Sequence, residues 1–434
     1  MRVATISSND KVSRLVVSWV LMIPLLFLAI DGRIRIGAYG GNNAIEANYT
    51  SLIPLENQGF PIMAHRLVMG ICALLFLTRL KQVVDITRNN KTFVALCMLA
   101  IVSVMWSQFP MDSLMNGIYV TMNISLAFYL AARFTPDRQM ELFLTFGWII
   151  IVPCIFADLF FPQYGLDNQG GHLRGAWMGI FNTHDACSIT VAFLLSVPFY
   201  MRPSSSFSRL ARIVYIVLSL LLIVMSQGRT GWIVAAFLLL YVSVTKYLKR
   251  YRAKDVIPIA FLSGAAAVVA VAGVVQYYTA IVLLLGKDPT LTGRTAIWRL
   301  SIAAAMKRPL LGYGYRAFWH GLQGESANLS LAGGWIIPAA HNGFLDLWLG
   351  LGAVGVGAVV YSMFRAAKNA FTCFRAGSSS AAEWYLCIVF VTIVSNVAQL
   401  TLMVPSYLGW TLYVLACIGL SQEARRVRLG MVHA

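Results

Sequence analysis

Long runs of consecutive apolar residues, separated by short polar or charged intervals, dominate the pattern along this chain. They do not alternate as half-buried strands do, so they predict helices rather than a barrel. Read in windows of about 19 residues, they give twelve expected spans: 14–30, 61–79, 92–108, 111–132, 140–161, 181–200, 209–226, 230–248, 256–276, 341–364, 382–401 and 404–421. Each approaches the roughly 20 apolar residues that a helix needs to cross a hydrocarbon core. One interval breaks this rhythm, a long non-membrane segment over 277–340 that contains TGRTAIWRLSIAAAMKRPLLGYGYRAFW. The expected organisation is therefore nine membrane helices over 1–276, a loop over 277–340, and three helices with a tail over 341–434. The first run follows Lys11 and Arg14 and reads as an uncleaved helix. Asp31, Arg33 and Arg35 intervene before the small residues AYGG that a signal-peptidase site would use.

Composition agrees. Of 434 residues, 59% are hydrophobic and 12% charged, outside the range of soluble domains. The fold class expected is an all-α polytopic membrane protein. A net charge of +17 raises the question of nucleic acid, but the basic residues lie in short clusters between apolar runs and form no basic domain. Topology explains them better. Lys81, Arg88 and Lys91, then Arg202, Arg209 and Arg212, then Lys246, Lys249 and Arg250, and finally Arg425, Arg426 and Arg428 all fall on one side of the predicted helices. Cytoplasmic loops retain such residues, so both termini are expected in the cytoplasm and the 277–340 loop outside. The seven cysteines, Cys72, Cys97, Cys154, Cys187, Cys373, Cys387 and Cys417, lack metal-ligand spacing and read as free thiols.

This assignment leaves arginines on the side where positive charge is disfavoured. Arg174, Arg229, Arg294, Arg299, Lys307, Arg308 and Arg316 lie there, and an anionic ligand is one reason for them. The other reason is that long loops translocate regardless of charge, which applies poorly to Arg229 in the short SQGRTG turn. Arg229 reads either as a snorkelling side chain or as a pyrophosphate contact, with Ser226, Gln227 and Thr230 as further donors. Arg294 opens a helical segment for which Thr292 is a candidate cap, and Arg294 and Trp298 share one face. That helix reads as amphipathic and interfacial. After Pro309, PLLGYGYRAFWHG places Tyr313 between two glycines, either as a sugar-stacking ring or as an interfacial anchor. His341 begins the next apolar run in AHN and can accept a proton near neutral pH; Asn342 beside it can bond a sugar hydroxyl or orient the ring. A second set, GGHLRGAWMGIFNTHDACS, holds His172, Arg174, Trp177, His184 and Asp185, with Asn182 or Thr183 as a helix cap. His184 and Asp185 are adjacent, which suits a base and its partner poorly because neighbours on a helix diverge. Two minor features are Arg66 inside the second span and an Asn48-Tyr49-Thr50 sequon match.

In this order, WSQFP, GAWMGIFNTHDACS, SQGRTGW, TGRTAIW with PLLGYGY, and AHNGFLDLWLGLGAVG resemble the O-antigen ligase and O-antigen or exopolysaccharide polymerase family. The arrangement is most similar to the succinoglycan-type exopolysaccharide polymerases, and the likeness runs over roughly 106–355. It implies a GT-C-like, metal-independent glycosyltransferase in the bacterial inner membrane, needing no cofactor. Its implied partners are an undecaprenyl-pyrophosphate-linked glycan, membrane lipid and other polysaccharide assembly proteins. Matched by motif, the family's essential arginines fall on Arg229 and Arg294 and its essential histidine on His341. Many relatives carry asparagine where this chain has Asp185. The expected reaction is inverting transfer on the periplasmic face, with His341 as base. Polymerisation of repeat units is the first reading, ligation of glycan to lipid A-core the second, and transport of lipid-linked glycan the third.

Overall fold

A computed structural model describes residues 8–29, 59–167, 175–201, 205–248, 294–377, 380–405 and 407–431. Within them the chain is helical, with two isolated bridges and no extended sheet. The main helices are α1 (Ser8–Ala29), α2 (Gly59–Leu77), α3 (Leu80–Asn89), α4 (Lys91–Val102), α5 (Pro110–Arg133), α6 (Pro136–Phe160) and α7 (His184–Leu195). They continue as α8 (Ser206–Met225), α9 (Arg229–Leu248), α10 (Arg294–Lys307), α11 (Ser326–Gly333), α12 (Gly343–Arg375), α13 (Ser380–Ala398) and α14 (Leu408–Arg428). Six of these, α5, α6, α8, α9, α12 and α13, are long and apolar enough to cross a membrane, and three shorter apolar helices accompany them. The chain is an all-α polytopic membrane protein. The expected span 256–276, the caps and sequon at Thr292 and Asn48, and the residues His172 and Arg174 lie outside the described residues. So do the side chains of Arg66 and Arg294.

Local sequence explains how the helices begin and where they pack. α5 and α6 both start on proline at the first helical position, where the missing N–H costs nothing. α14 forms the centre. Every side chain from Leu408 to Leu420 is buried, as expected of LGWTLYVLACIGL, which is apolar or small all round. It packs against α5, α12 and α13. Several polar groups within this core are paired: Tyr385 donates to Gln139 Oε1 at 2.7 Å, Trp384 to Ser196 Oγ at 3.2 Å, and Ser362 meets the Tyr413 hydroxyl, whereas Trp410 Nε1 and Thr411 Oγ1 on α14 itself have no hydrogen bond among the described residues. All seven cysteines are buried and unpaired.

The span expected as one continuous helix over 341–364 is broken. α12 departs from helical geometry at Gly352, with φ at 65°, and a Cβ there would overlap the Leu310 carbonyl. The break frees backbone groups that must find partners away from water, and the PLLGYG segment supplies them. Ala353 N donates to Pro309 O at 2.8 Å and Val354 N to Leu310 O at 3.2 Å; in return Tyr313 N donates to Leu349 O at 2.8 Å and Gly314 N to Gly350 O at 3.0 Å. Gly314, at φ 103°, also lies against Ser107, so a side chain at that position meets both obstacles. The segment after Pro309 is thus a wedge docked in α12 and on the α4–α5 junction, where Gln108 N donates to Tyr313 O and Ser113 Oγ to Tyr315 O.

α10 ends at Lys307, before Pro309, as expected. Its buried positions Ile297, Ser301, Ala304 and Ala305 face a second core cluster with Tyr313, Phe318, Leu329, Ile337 and Leu349. Ile302, Met306 and Leu310 remain exposed on the other side. Lys307 pairs with Glu325 ahead of α11, and this carboxylate raises the ammonium pKa.

Candidate active site

Several expected site residues come from separate stretches of chain, and a continuous run of contacts joins them at one end of the bundle. The α8–α9 turn carries Arg229 as the first residue of α9, with its side chain exposed and without a hydrogen bond or ion pair among the described residues. Gln227 turns the chain at φ 55°. Gly228 and Gly231 press this turn onto α7: a Cβ on Gly228 would overlap Ser188 Oγ and stand 3.1 Å from Asp185 Oδ1, and one on Gly231 would stand 2.5 Å from Ser188 Oγ. Two of the neighbours expected as further donors are withdrawn from the surface. Ser226 and Thr230 are buried, and the Ser226 hydroxyl donates to Ile223 O at 2.8 Å.

Asp185 lies in the first turn of α7, which Thr183 caps by accepting from Ala186 N at 3.2 Å. Its Oδ2 accepts from Gln399 Nε2 at 3.1 Å. His184 does not use Asp185 as its close partner: its Nδ1 lies 3.0 Å from Asp167 Oδ2, whereas its Nε2 is 4.0 Å from Asp185 Oδ2. The correction follows from helix geometry, since consecutive residues diverge by about 100°, and Asp167 arrives from the preceding segment. Trp177 is half-buried, pairs with Leu166, and donates its backbone N–H to Met225 O at 3.0 Å, directly before the Arg229 turn.

Gln399 follows α13, whose last turn meets the start of α12. Asn342 donates Nδ2 to Val397 O at 3.3 Å, while its Oδ1 caps α12 by accepting from the N–H groups of Phe344 and Leu345 at 3.1 Å each. Its Oδ1 thus serves the helix cap, while one of its two amide N–H donors holds the end of α13. Gly343 allows the close approach, because a Cβ there would overlap Asn396 Oδ1. His341, half-buried, stands just before this cap with φ at 52°. The residue before it binds α10: Trp298 Nε1 donates to Ala340 O at 2.8 Å. Arg294 opens that helix one turn earlier. Trp298, His341, Asn342, Asp185, Trp177 and the Arg229 turn are thereby gathered through Ala340, Val397 and Gln399.

Tyr313 is not part of this gathering as a ligand surface. It is buried, its ring meets Phe318 edge-on at 5.0 Å, and its hydroxyl donates to Ala304 O at 2.9 Å. The wedge needed an internal anchor more than a stacking face. Among the described residues, four non-glycine residues adopt the left-handed region, Gln227, Arg316, His341 and Met403, and all belong to loops at this end. Such strain is retained where surroundings over-determine it, and functional sites collect it. Asp167, Asp346, Gln399 and Asn396 also contribute. Asp346 lies within the AHNGFLDLWLGLGAVG stretch but was not singled out there, and Asp167, Gln399 and Asn396 stand in no distinctive motif, so sequence offered no signal for those three beyond being polar residues beside apolar runs. Among the described residues, no three His, Cys, Asp or Glu side chains gather closely enough to hold a metal ion.

Two comparisons with known proteins each cover part of the chain. Residues 214–360 match the family model described as O-antigen ligase, a stretch that includes the Arg229 turn, α10, the wedge and His341. A curated relative, the exopolysaccharide production protein ExoQ of Rhizobium meliloti (strain 1021), is 40% identical over 76 residues, which span 16% of this chain and 17% of that protein. Each match covers a minority of the chain, and together they make that part of it similar to the O-antigen ligase family and to an exopolysaccharide production protein.

Proposed function

We propose that this protein is a glycosyltransferase that polymerises undecaprenyl-pyrophosphate-linked oligosaccharide repeat units into exopolysaccharide or O-antigen. The observation that carries the reading is the contact path from Trp298 through Ala340, His341, Asn342, Val397 and Gln399 to Asp185 and the Arg229 turn. The His341 imidazole and the Arg229 guanidinium, which has no hydrogen bond or ion pair among the described residues, lie on elements that meet at one end of an apolar bundle, which supports this reading. A lipid tail can then stay in the bilayer while its pyrophosphate reaches the loops. The membrane is the bacterial inner membrane, both termini are cytoplasmic, and the site faces the periplasm, with 1–276 and 341–434 flanking the 277–340 loop.

In the reaction, the acceptor hydroxyl oxygen forms a bond to the anomeric carbon as that carbon's bond to the pyrophosphate oxygen breaks, inverting the centre. His341 takes the hydroxyl proton, a role worth about 10²–10⁴-fold. Arg229 and Arg294 neutralise the leaving pyrophosphate through charge-assisted hydrogen bonds. Ligation to lipid A-core uses the same chemistry with another acceptor. The partial match to an exopolysaccharide production protein supports exopolysaccharide as the product over a glycan passed to lipid A-core.

Two experiments test this reading. Purified protein given a lipid-pyrophosphate oligosaccharide should consume it, and Arg229→Ala, Arg294→Ala and His341→Ala should each lower turnover by about 100-fold or more while the protein stays folded. Failure of the wild type to consume the donor would favour a transporter, and normal turnover in all three variants refutes the site. In cells, gene deletion that leaves single units attached to the surface marks a polymerase, whereas free lipid-linked polymer marks a ligase.

A further inference from the structure

His341 holds a left-handed backbone that disfavours any residue with a Cβ, and the peptide groups around it are gripped from several directions. Ala340 donates its N–H to Asp346 Oδ1 at 3.2 Å, while its carbonyl accepts from Trp298 Nε1 at 2.8 Å. On the other side, Asn342 caps α12 and holds Val397. Asp346 is central to this clamp. It lies in the first turn of α12, where the helix field favours a carboxylate. Its Oδ1 also accepts from the indole N–H of Trp319, which fixes the rotamer from the far side. Asp346 Oδ2 is buried without a hydrogen bond among the described residues. A buried carboxylate oxygen left in that state is costly, which argues that the carboxyl group is kept for what Oδ1 does.

We propose that Asp346 is a positioning residue for His341: its carboxylate, fixed by Trp319, grips the Ala340 N–H and sets the strained backbone that aims the imidazole. The inference rests on the reading of His341 as the base. Asp346 acts through the peptide and touches no reacting atom. What the clamp requires is a hydrogen-bond acceptor at Oδ1, which asparagine supplies and leucine does not.

The test uses the full chain in lipid nanodiscs, with a lipid-pyrophosphate oligosaccharide as substrate, comparing Asp346→Leu with Asp346→Asn. Asp346→Leu should lower kcat about 100-fold with KM changed by less than about threefold, the signature of a misaimed group. Asp346→Asn should keep kcat within about tenfold of wild type. A second readout does not depend on turnover: the rate at which diethyl pyrocarbonate modifies His341, measured by peptide mass against His184 as reference. That ratio should change in Asp346→Leu and stay at the wild-type value in Asp346→Asn. The proposal is overturned if Asp346→Leu leaves kcat and labelling unchanged, or if Asp346→Asn loses as much as Asp346→Leu. Where Asp346→Leu does not fold, Trp298→Phe removes the donor on the other face of the same peptide; an altered His341 labelling ratio then supports the clamp and an unaltered one refutes it. A wild type that transfers no glycan overturns the proposed function, while the labelling comparison still decides the role of Asp346.

Discussion

Replacing Gly343 by alanine tests how the site end of the bundle is held together. A methyl on Gly343 would overlap Asn396 Oδ1 and stand 2.8 Å from its Cγ and 3.1 Å from its Cβ. Asn396 cannot simply yield. It is fully buried, its Oδ1 accepts from Thr401 N and Leu402 N at 2.9 Å each, and its Nδ2 donates to Thr392 O at 2.7 Å. Turning the amide away leaves two buried N–H groups without their acceptor, each costing about 1–3 kcal/mol, and the added methyl brings overpacking of about 1–3 kcal/mol. Partial relaxation places the total at roughly 3–6 kcal/mol. Equilibrium unfolding in mixed micelles, followed by tryptophan fluorescence, measures it. The second arm is a double-mutant cycle: once Asn396→Ala has removed the amide, Gly343→Ala should cost far less, with a coupling of about 2 kcal/mol or more. A single-mutant effect below about 1 kcal/mol, or full additivity in the cycle, refutes the account. The consequence reaches the chemistry, because Gly343 is what lets the start of α12, and His341 with it, approach the end of α13.

Two further outcomes follow from single side chains. Gln399→Leu removes the hydrogen bond to Asp185 Oδ2; a bond to a charged group contributes about 1.5–3 kcal/mol, so turnover of the lipid-linked donor should fall about tenfold or more, and unchanged turnover would show that Asp185 needs no such partner. Burial lowers the pKa of His320 against the opposing pull of Asp112, while Arg316 also lowers it. With the folded pKa below the unfolded one, its stability contribution is complete above the unfolded pKa near 6.5 and is lost as pH falls through that value toward the folded pKa. Amide exchange across 313–326, corrected for its intrinsic pH dependence, should therefore quicken between about pH 7 and about pH 5, and His320→Leu should flatten that response. The same slope in both proteins would refute the assignment.

The apolar runs, their length and the scatter of basic clusters were enough to establish an all-α membrane protein, because a backbone in lipid must satisfy its own hydrogen bonds and leaves little choice but helices. Motif spacing also pointed to Arg229, Asp185, Trp298 and His341, since unusual residues beside apolar runs stand out against a uniform background. Other features depended on partners far away in sequence. That His184 pairs with Asp167 rather than Asp185, that Tyr313 is an internal anchor, and that Asn342 is a cap all follow from which surfaces meet, and no local pattern encodes that. The break at Gly352 is the clearest case. A glycine in a run of LGLGAVG is compatible with a straight helix, and only the docked Pro309–Gly314 wedge, which satisfies the freed backbone groups, makes the kink the lower-energy choice. The sequence by itself thus determined the solvent each segment lives in and the residues with unusual chemistry. The tertiary structure decided which of them face one another, because hydrogen bonds such as those through Ala340, Val397 and Gln399 join residues that only packing brings within reach.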